Sequence, residues 1–116
     1  MLSIGIDCED IETFRKHDLA GHARFYRRIF TEREMTYCAS RADPYPHLAA
    51  RFAAKEAVIK ALAPHRVFHS QVEVLRRDDG SPRVQLHGDA VQLNDKTIRV
   101  SLSHSRLQAV ACALVE

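Results

Sequence analysis

Two carboxylates stand where they could bind a divalent cation. Glu56 follows Phe52 by four residues and precedes Ile59 by three, so on a helix it lies along the edge of an apolar stripe. A carboxylate there needs an ion pair, a hydrogen bond or a cation, because burying it alone is costly. Asp7 ends a short apolar stretch and stands where a strand would leave its sheet. Two carboxylates that converge from a strand end and a helix form the oxygen-rich site that Mg²⁺ prefers.

Each carboxylate also has an ordinary structural interpretation. Lys60 lies one helical turn beyond Glu56, and periodicity alone favours an ion pair between them by about two to one. Asp7 could cap the helical segment that follows it. Spacing leaves these alternatives open.

Composition restricts the class of protein. The chain has 116 residues, 46% of them apolar and 28% charged, and we expect one domain over residues 1–116 because a core of this size leaves no room for a second. A net charge of +2 is too small to indicate a kind of binding partner by itself. The apolar runs are far shorter than the ~20 residues of a membrane helix, and no signal-peptide pattern opens the sequence, so we expect a cytoplasmic protein. The cysteines and histidines lack zinc-site spacing.

The first half is predicted to be mainly helical. Residues 2–7 alternate apolar and small side chains and predict a short strand. A helix over residues 23–30 would place Phe25 on its core face and its three arginines on another.

Thr31 and Glu34 have the spacing of a capping box, which predicts the start of a further helix. Two prolines indicate a loop over residues 41–46. The alanine-rich run 48–63 then predicts the longest helix of the chain, which Pro64 ends.

The second half is predicted to be β-structure. Residues 71–76 and 82–87 flank Asp78-Asp79-Gly80, a strong hairpin signal. Residues 98–102 alternate apolar and polar side chains, and residues 107–115 predict a final strand. Helices in front and antiparallel strands behind predict an α+β domain, with helices packed on a small antiparallel sheet.

Four blocks of sequence resemble one family. Residues 5–11 (GIDCEDI), 28–34 (RIFTERE), 51–62 (RFAAKEAVIKAL) and 100–105 (VSLSHS) are similar, in this order, to motifs of 4′-phosphopantetheinyl transferases of the holo-acyl-carrier-protein synthase type. The resemblance implies that family's fold and activity. The activity is Mg²⁺-dependent transfer of phosphopantetheine from coenzyme A to a serine of an apo acyl carrier protein, which releases adenosine 3′,5′-bisphosphate and serves fatty acid biosynthesis and lipid metabolism.

The resemblance also implies roles for individual residues. Asp7 and Glu56 would hold Mg²⁺ together with the pyrophosphate of coenzyme A and water. Glu56 and Lys60 would be catalytic, with either Glu56 or a metal-bound water taking the serine proton. The residues expected to bind the cofactor are Arg51, Lys55, Lys60, Ser103 and His104.

A basic cluster on the predicted helix 23–30 has several interpretations. Arg24, Arg27 and Arg28 could form a solvated face or bind nucleic acid, although the low net charge and the lack of a recognisable fold signature disfavour the second. The resemblance implies that this region docks an acidic acyl, peptidyl or polyketide carrier protein, because opposite charges speed and orient the encounter. It also implies a homotrimer whose neighbours share the cofactor site.

Two segments depart from the family pattern. Residues 63–66 (APHR) replace a glycine-containing segment beside the cofactor, and residues 12–14 (ETF) stand where a basic residue is frequent. The first departure raises the alternative of a non-catalytic module that binds carrier proteins on the same scaffold. The second bears on which carrier protein is preferred.

Overall fold

The computed structural model describes residues 1–116. Four α-helices and five strands follow one another, with one 3₁₀ helix before β2 and another before β4. Their bounds are β1 Ser3–Asp10, α1 Ile11–Lys16, α2 Ala23–Ile29, α3 Glu32–Ala39, α4 Pro44–Leu62, the first 3₁₀ helix His69–Gln71, β2 Val72–Arg76, β3 Pro82–Leu86, the second 3₁₀ helix Gly88–Asp95, β4 Ile98–His104 and β5 Gln108–Val115. The predicted α+β class is confirmed.

The longest helix begins earlier than its sequence predicts. Asp43 caps α4 by accepting a hydrogen bond from the Tyr45 amide at 3.3 Å. Pro44 and Pro46 therefore lie in the first helical turn, where the missing amide of proline costs nothing. The predicted loop over residues 41–46 is wrong in its second half for this reason.

The predicted capping box is confirmed. The Glu34 amide donates to Thr31 Oγ1 at 3.3 Å, and the Thr31 amide donates to Glu34 Oε1 at 2.8 Å. The Glu34 carboxylate also makes a contact outside the cap, because its Oε2 accepts from the Val74 amide at 2.7 Å. The same carboxylate thus starts α3 and ties it to β2.

A second buried carboxylate joins α3 to the β2–β3 hairpin. Glu73 accepts from the Thr31 hydroxyl at 2.6 Å and from His87 Nε2 at 2.9 Å. Burial raises the pKa of Glu73, but these hydrogen bonds and the positive charges nearby outweigh it and hold that pKa below its ordinary value.

Three strands form an antiparallel sheet in the order β1-β5-β4, while β2 and β3 pair separately. The face that meets α4 is built from small residues, because helix and sheet approach closely there. An added Cβ at Gly5 would lie 1.9 Å from the Ala57 carbonyl oxygen. On the neighbouring strand Ala111 and Ala113 are buried and lie opposite Asp7 and Gly5. This close packing sets the distance between β1 and the helix that carries Glu56.

A second core lies between α4 and the short helices. The prediction that Phe25 of α2 faces the core is wrong. Phe25 is 37% exposed, whereas its neighbour Tyr26 is 1% exposed. Tyr26 can be buried because its hydroxyl donates to the carbonyl oxygens of His17 at 2.6 Å and Phe14 at 3.2 Å. Among the helices, none combines the length and the apolar character that a bilayer crossing needs.

Candidate active site

Asp7 reaches the site from the middle of a strand. β1 runs on to Asp10, so the expectation that Asp7 ends the strand is wrong, and so is its alternative as a helix cap, because Asp10 precedes α1. Strand alternation directs Gly5, Asp7 and Glu9 inward, and their neighbours along the strand are exposed. Asp7 therefore faces α4 two residues beyond the closest contact of strand and helix.

Glu9 of β1 lies beside Asp7 and close enough to Glu56 of α4 to feel its charge, and we call Asp7, Glu9 and Glu56 the carboxylate cluster. Burial, a hydrogen bond with Asp7 and the negative charges of Asp7 and Glu56 together raise the pKa of Glu9 to about 8. Asp7 Oδ2 is buried and has no hydrogen-bond partner. Asp7 and Glu56 therefore supply the negative charge of the cluster, and Asp7 Oδ2 is its unpartnered oxygen.

Lys60 contacts this cluster through Asp7. Its ammonium group donates to the Ile6 carbonyl oxygen at 2.9 Å and lies 3.4 Å from Asp7 Oδ1. The ion pair with Glu56 that helical spacing favours does not form, because the Lys60 ammonium contacts the β1 backbone and Asp7 instead. The side chain of Lys60 is 54% exposed, so it can also contact a bound anion.

Glu56 has a different partner, which the sequence did not single out. His69 Nε2 lies 2.9 Å from Glu56 Oε1. His69 begins the first 3₁₀ helix. Thirteen positions separate the two residues, so no local pattern could have paired them.

The Lys55 ammonium contacts none of the side chains of the carboxylate cluster. Its side chain is fully buried, 2.8 Å from Glu34 Oε1, and it donates to the carbonyl oxygens of His69 and Val72. Burial lowers the pKa of Lys55, and the Glu34 carboxylate opposes that effect. Three internal acceptors occupy the ammonium group of Lys55, and the structure does not bring it together with Lys60.

The remaining residues expected to bind the cofactor share a separate cleft. Arg51, Ser103 and His104 line a cavity of about 190 Å³ together with His47 and Arg76. We call it the basic cleft. Arg51 Nε is buried without a hydrogen-bond partner, and the guanidinium carbon lies 4.3 Å from the centre of the Tyr37 ring. A cleft of cationic and aromatic side chains suits a ligand with phosphates and a planar base.

The three arginines predicted to dock a carrier protein lie on the surface of α2. Arg24, Arg27 and Arg28 are all exposed. Glu32 is the nearest acidic residue after them in the chain. With Phe25 also exposed, α2 presents positive charge around an apolar ring.

The chain belongs to the 4′-phosphopantetheinyl transferase superfamily, whose family model matches residues 3–115. The family resemblance found in its motifs is therefore confirmed.

Similar proteins within that superfamily carry the name holo-[acyl-carrier-protein] synthase. The chain is 43% identical over 121 residues to the holo-[acyl-carrier-protein] synthase of Dehalococcoides mccartyi, covering 100% of this chain and 99% of the relative. It is 44% identical to the enzyme of the same name from Moorella thermoacetica, covering 100% and 94%.

Solved structures agree with this result. The acyl carrier protein synthase of Mycobacterium tuberculosis superposes with a TM-score of 0.77 at 38% identity, over 98% of this chain and 96% of that one. A synthase–coenzyme A complex from Chronobacterium ammoniagenes gives 0.82 at 27% identity, over 100% and 97%. The helical layer and small antiparallel sheet are thus those of the synthase fold.

Proposed function

We propose that this chain is a holo-[acyl-carrier-protein] synthase, which transfers 4′-phosphopantetheine from coenzyme A to a serine of an apo acyl carrier protein. Full-length relatives that carry this name support the assignment. The observation in the chain that carries it is the carboxylate cluster, with the unpartnered Asp7 Oδ2 and the Lys60 ammonium beside it. A non-catalytic carrier-binding module is not favoured by these relatives.

The donor set fits Mg²⁺. No three His, Cys, Asp or Glu side chains are arranged to hold a metal ion by themselves, but Mg²⁺ characteristically takes only one or two carboxylates and fills its shell with water and phosphate oxygens. Asp7 and Glu56 would hold the ion. When bound, it would neutralise the charge that develops on the pyrophosphate as its bond breaks.

The side chains around the cluster have distinct tasks in this reaction. Lys60 fixes Asp7 and presents positive charge to the phosphates. Glu56 Oε1 is held by His69, which leaves Oε2 available to accept the serine proton or to bind the ion. The serine oxygen attacks the β-phosphorus, and the bond to the bridging oxygen breaks as adenosine 3′,5′-bisphosphate leaves.

The basic cleft would bind the nucleotide part of coenzyme A. Arg51 Nε offers a buried unpaired donor, and the imidazoles of His47 and His104 lie 5.8 Å apart between ring centres. Both rings can stack on an adenine or donate to a phosphate. Ser103 adds a hydroxyl at the same wall.

The outer face of the three-stranded sheet supports a homotrimer. Ile4 and Ile6 are 67% and 62% exposed, and Leu114 and Val110 on β5 are 39% and 37% exposed. Ile4 lies directly opposite Leu114, so these side chains form one continuous apolar patch. Such a patch is unfavourable in water, and copies of the chain in a cytoplasmic trimer would cover it and complete the cofactor site.

Mass spectrometry tests the proposed activity directly. Incubating an apo acyl carrier protein with the chain, coenzyme A and Mg²⁺ should add the phosphopantetheine group, about 340 Da. Asp7→Asn and Glu56→Gln should each abolish the gain while circular dichroism shows an unchanged fold. Absence of any gain with several carrier proteins, despite detectable binding of coenzyme A and carrier, would instead identify a non-catalytic binding module.

A further inference from the structure

His69 lies beside the carboxylate cluster without belonging to it. Its imidazole stacks on the Phe52 ring, with the ring centres 5.2 Å apart and the planes 10° from parallel. Nε2 lies 2.9 Å from Glu56 Oε1. A carboxylate that holds a cation can only accept, so in the metal-bound site Nε2 would carry the hydrogen and donate it.

The backbone of His69 is anchored as firmly as its ring. Its carbonyl oxygen accepts from Lys55 Nζ at 3.0 Å, and Lys55 pairs with Glu34 in a fully buried contact of 2.8 Å. The imidazole is therefore held by Phe52 on one side and by the Glu34–Lys55 pair through the main chain. A donor fixed in this way restricts the rotation of the carboxylate that it contacts.

We infer that His69 is a positioning residue, which orients the Glu56 carboxylate toward a divalent cation. The inference rests on the proposed function, in which Glu56 and Asp7 hold that cation. Because Oε1 accepts from His69, Glu56 presents Oε2 in a defined direction. Partners that orient a metal ligand typically change metal affinity or activity by about 10- to 100-fold when they are removed.

Two substitutions separate the donated hydrogen bond from the stacked ring. His69→Phe keeps a ring that can stack on Phe52 and removes the donor. His69→Gln keeps an N–H donor near Glu56 and removes the ring. The affinity of each variant for Mn²⁺ alone, measured from the electron paramagnetic resonance signal of free Mn²⁺, reports on the site without catalysis. Steady-state kcat and KM for coenzyme A add a second readout.

In H69F we expect Mn²⁺ affinity to fall by about tenfold or more, with a fall in kcat larger than any rise in KM for coenzyme A. In H69Q the Mn²⁺ affinity should stay close to that of the wild type, while the melting temperature falls because the stacked ring is lost. Wild-type Mn²⁺ affinity in H69F overturns the inference. An equal loss of affinity in both variants overturns it too, since a donor kept at position 69 without the ring would then restore nothing.

Glu56→Gln and Asp7→Asn distinguish failure of this inference from failure of the proposed function. If both lose Mn²⁺ binding while H69F retains it, only the positioning role is refuted. If both retain wild-type Mn²⁺ affinity, the metal assignment is refuted and the role of His69 is refuted with it.

Discussion

Replacing Gly5 by alanine adds one methyl group to β1. We expect it to destabilise the protein more than a methyl group added at any other position of that strand. The new Cβ would lie 1.9 Å from the Ala57 carbonyl oxygen and 3.0 Å from the Ala61 amide nitrogen. Both obstacles are backbone atoms of α4, so no side chain can rotate away, and strand and helix must separate by about 1 Å. Overpacking a core that can adjust its side chains costs about 1–3 kcal/mol.

Because this contact cannot adjust, we expect Gly5→Ala to lower the free energy of unfolding by at least about 3 kcal/mol, a large share of the 5–15 kcal/mol typical of a domain. Urea unfolding followed by circular dichroism measures the change. The displaced strand also carries Asp7, so transferase activity should fall in the fraction that remains folded.

Gly21→Ala is the matched control. There the added Cβ would meet Asp18 Oδ1 at 2.7 Å, but Asp18 is an exposed side chain that can turn aside. Its cost should stay within about 0.5 kcal/mol. Unfolding free energies that are the same for both glycine variants would refute the argument that backbone contact between β1 and α4 sets the geometry of the site.

Further predictions concern buried charge, acid stability, docking and assembly. Lys55→Met leaves the buried Glu34 carboxylate without its positive partner. It should lower the free energy of unfolding in urea by about 3–5 kcal/mol. Glu73 has a lowered pKa in the folded chain, so its stabilisation is complete above the unfolded value of 4.5 and is lost as pH falls through the folded value. Glu73→Gln should therefore flatten the profile of unfolding free energy against pH below pH 4.5. Arg28→Glu should raise KM for an acidic carrier protein and leave KM for coenzyme A unchanged. Ile6→Lys should shift sedimentation toward the monomer.

Local sequence patterns predicted the elements that depend on near neighbours. The capping box at Thr31 and Glu34 and the hairpin around Gly80 involve residues within a few positions of one another, and both occur as predicted. The motif blocks around Asp7 and Glu56 identified the family in the same way, because residue types at fixed spacing suffice for that.

Errors arose where two patterns were locally equivalent. Phe25 and Tyr26 are adjacent aromatic residues on one short helix, and periodicity cannot decide which of them faces the core. The carbonyl oxygens that accept from the Tyr26 hydroxyl come from the preceding segment. They make burial of the tyrosine possible, and they become neighbours only when α1 and α2 pack together.

The sequence by itself determined the family, the order of the elements and the residue types available for chemistry. Only the tertiary structure decided which partner each charged group has. Lys60 meets Asp7 across 53 positions of the chain, Glu56 meets His69, and Lys55 is enclosed with Glu34. The reason is physical: a charged group takes whichever partner the packing of strand and helix brings within hydrogen-bond distance, and helical spacing only indicates candidates for it.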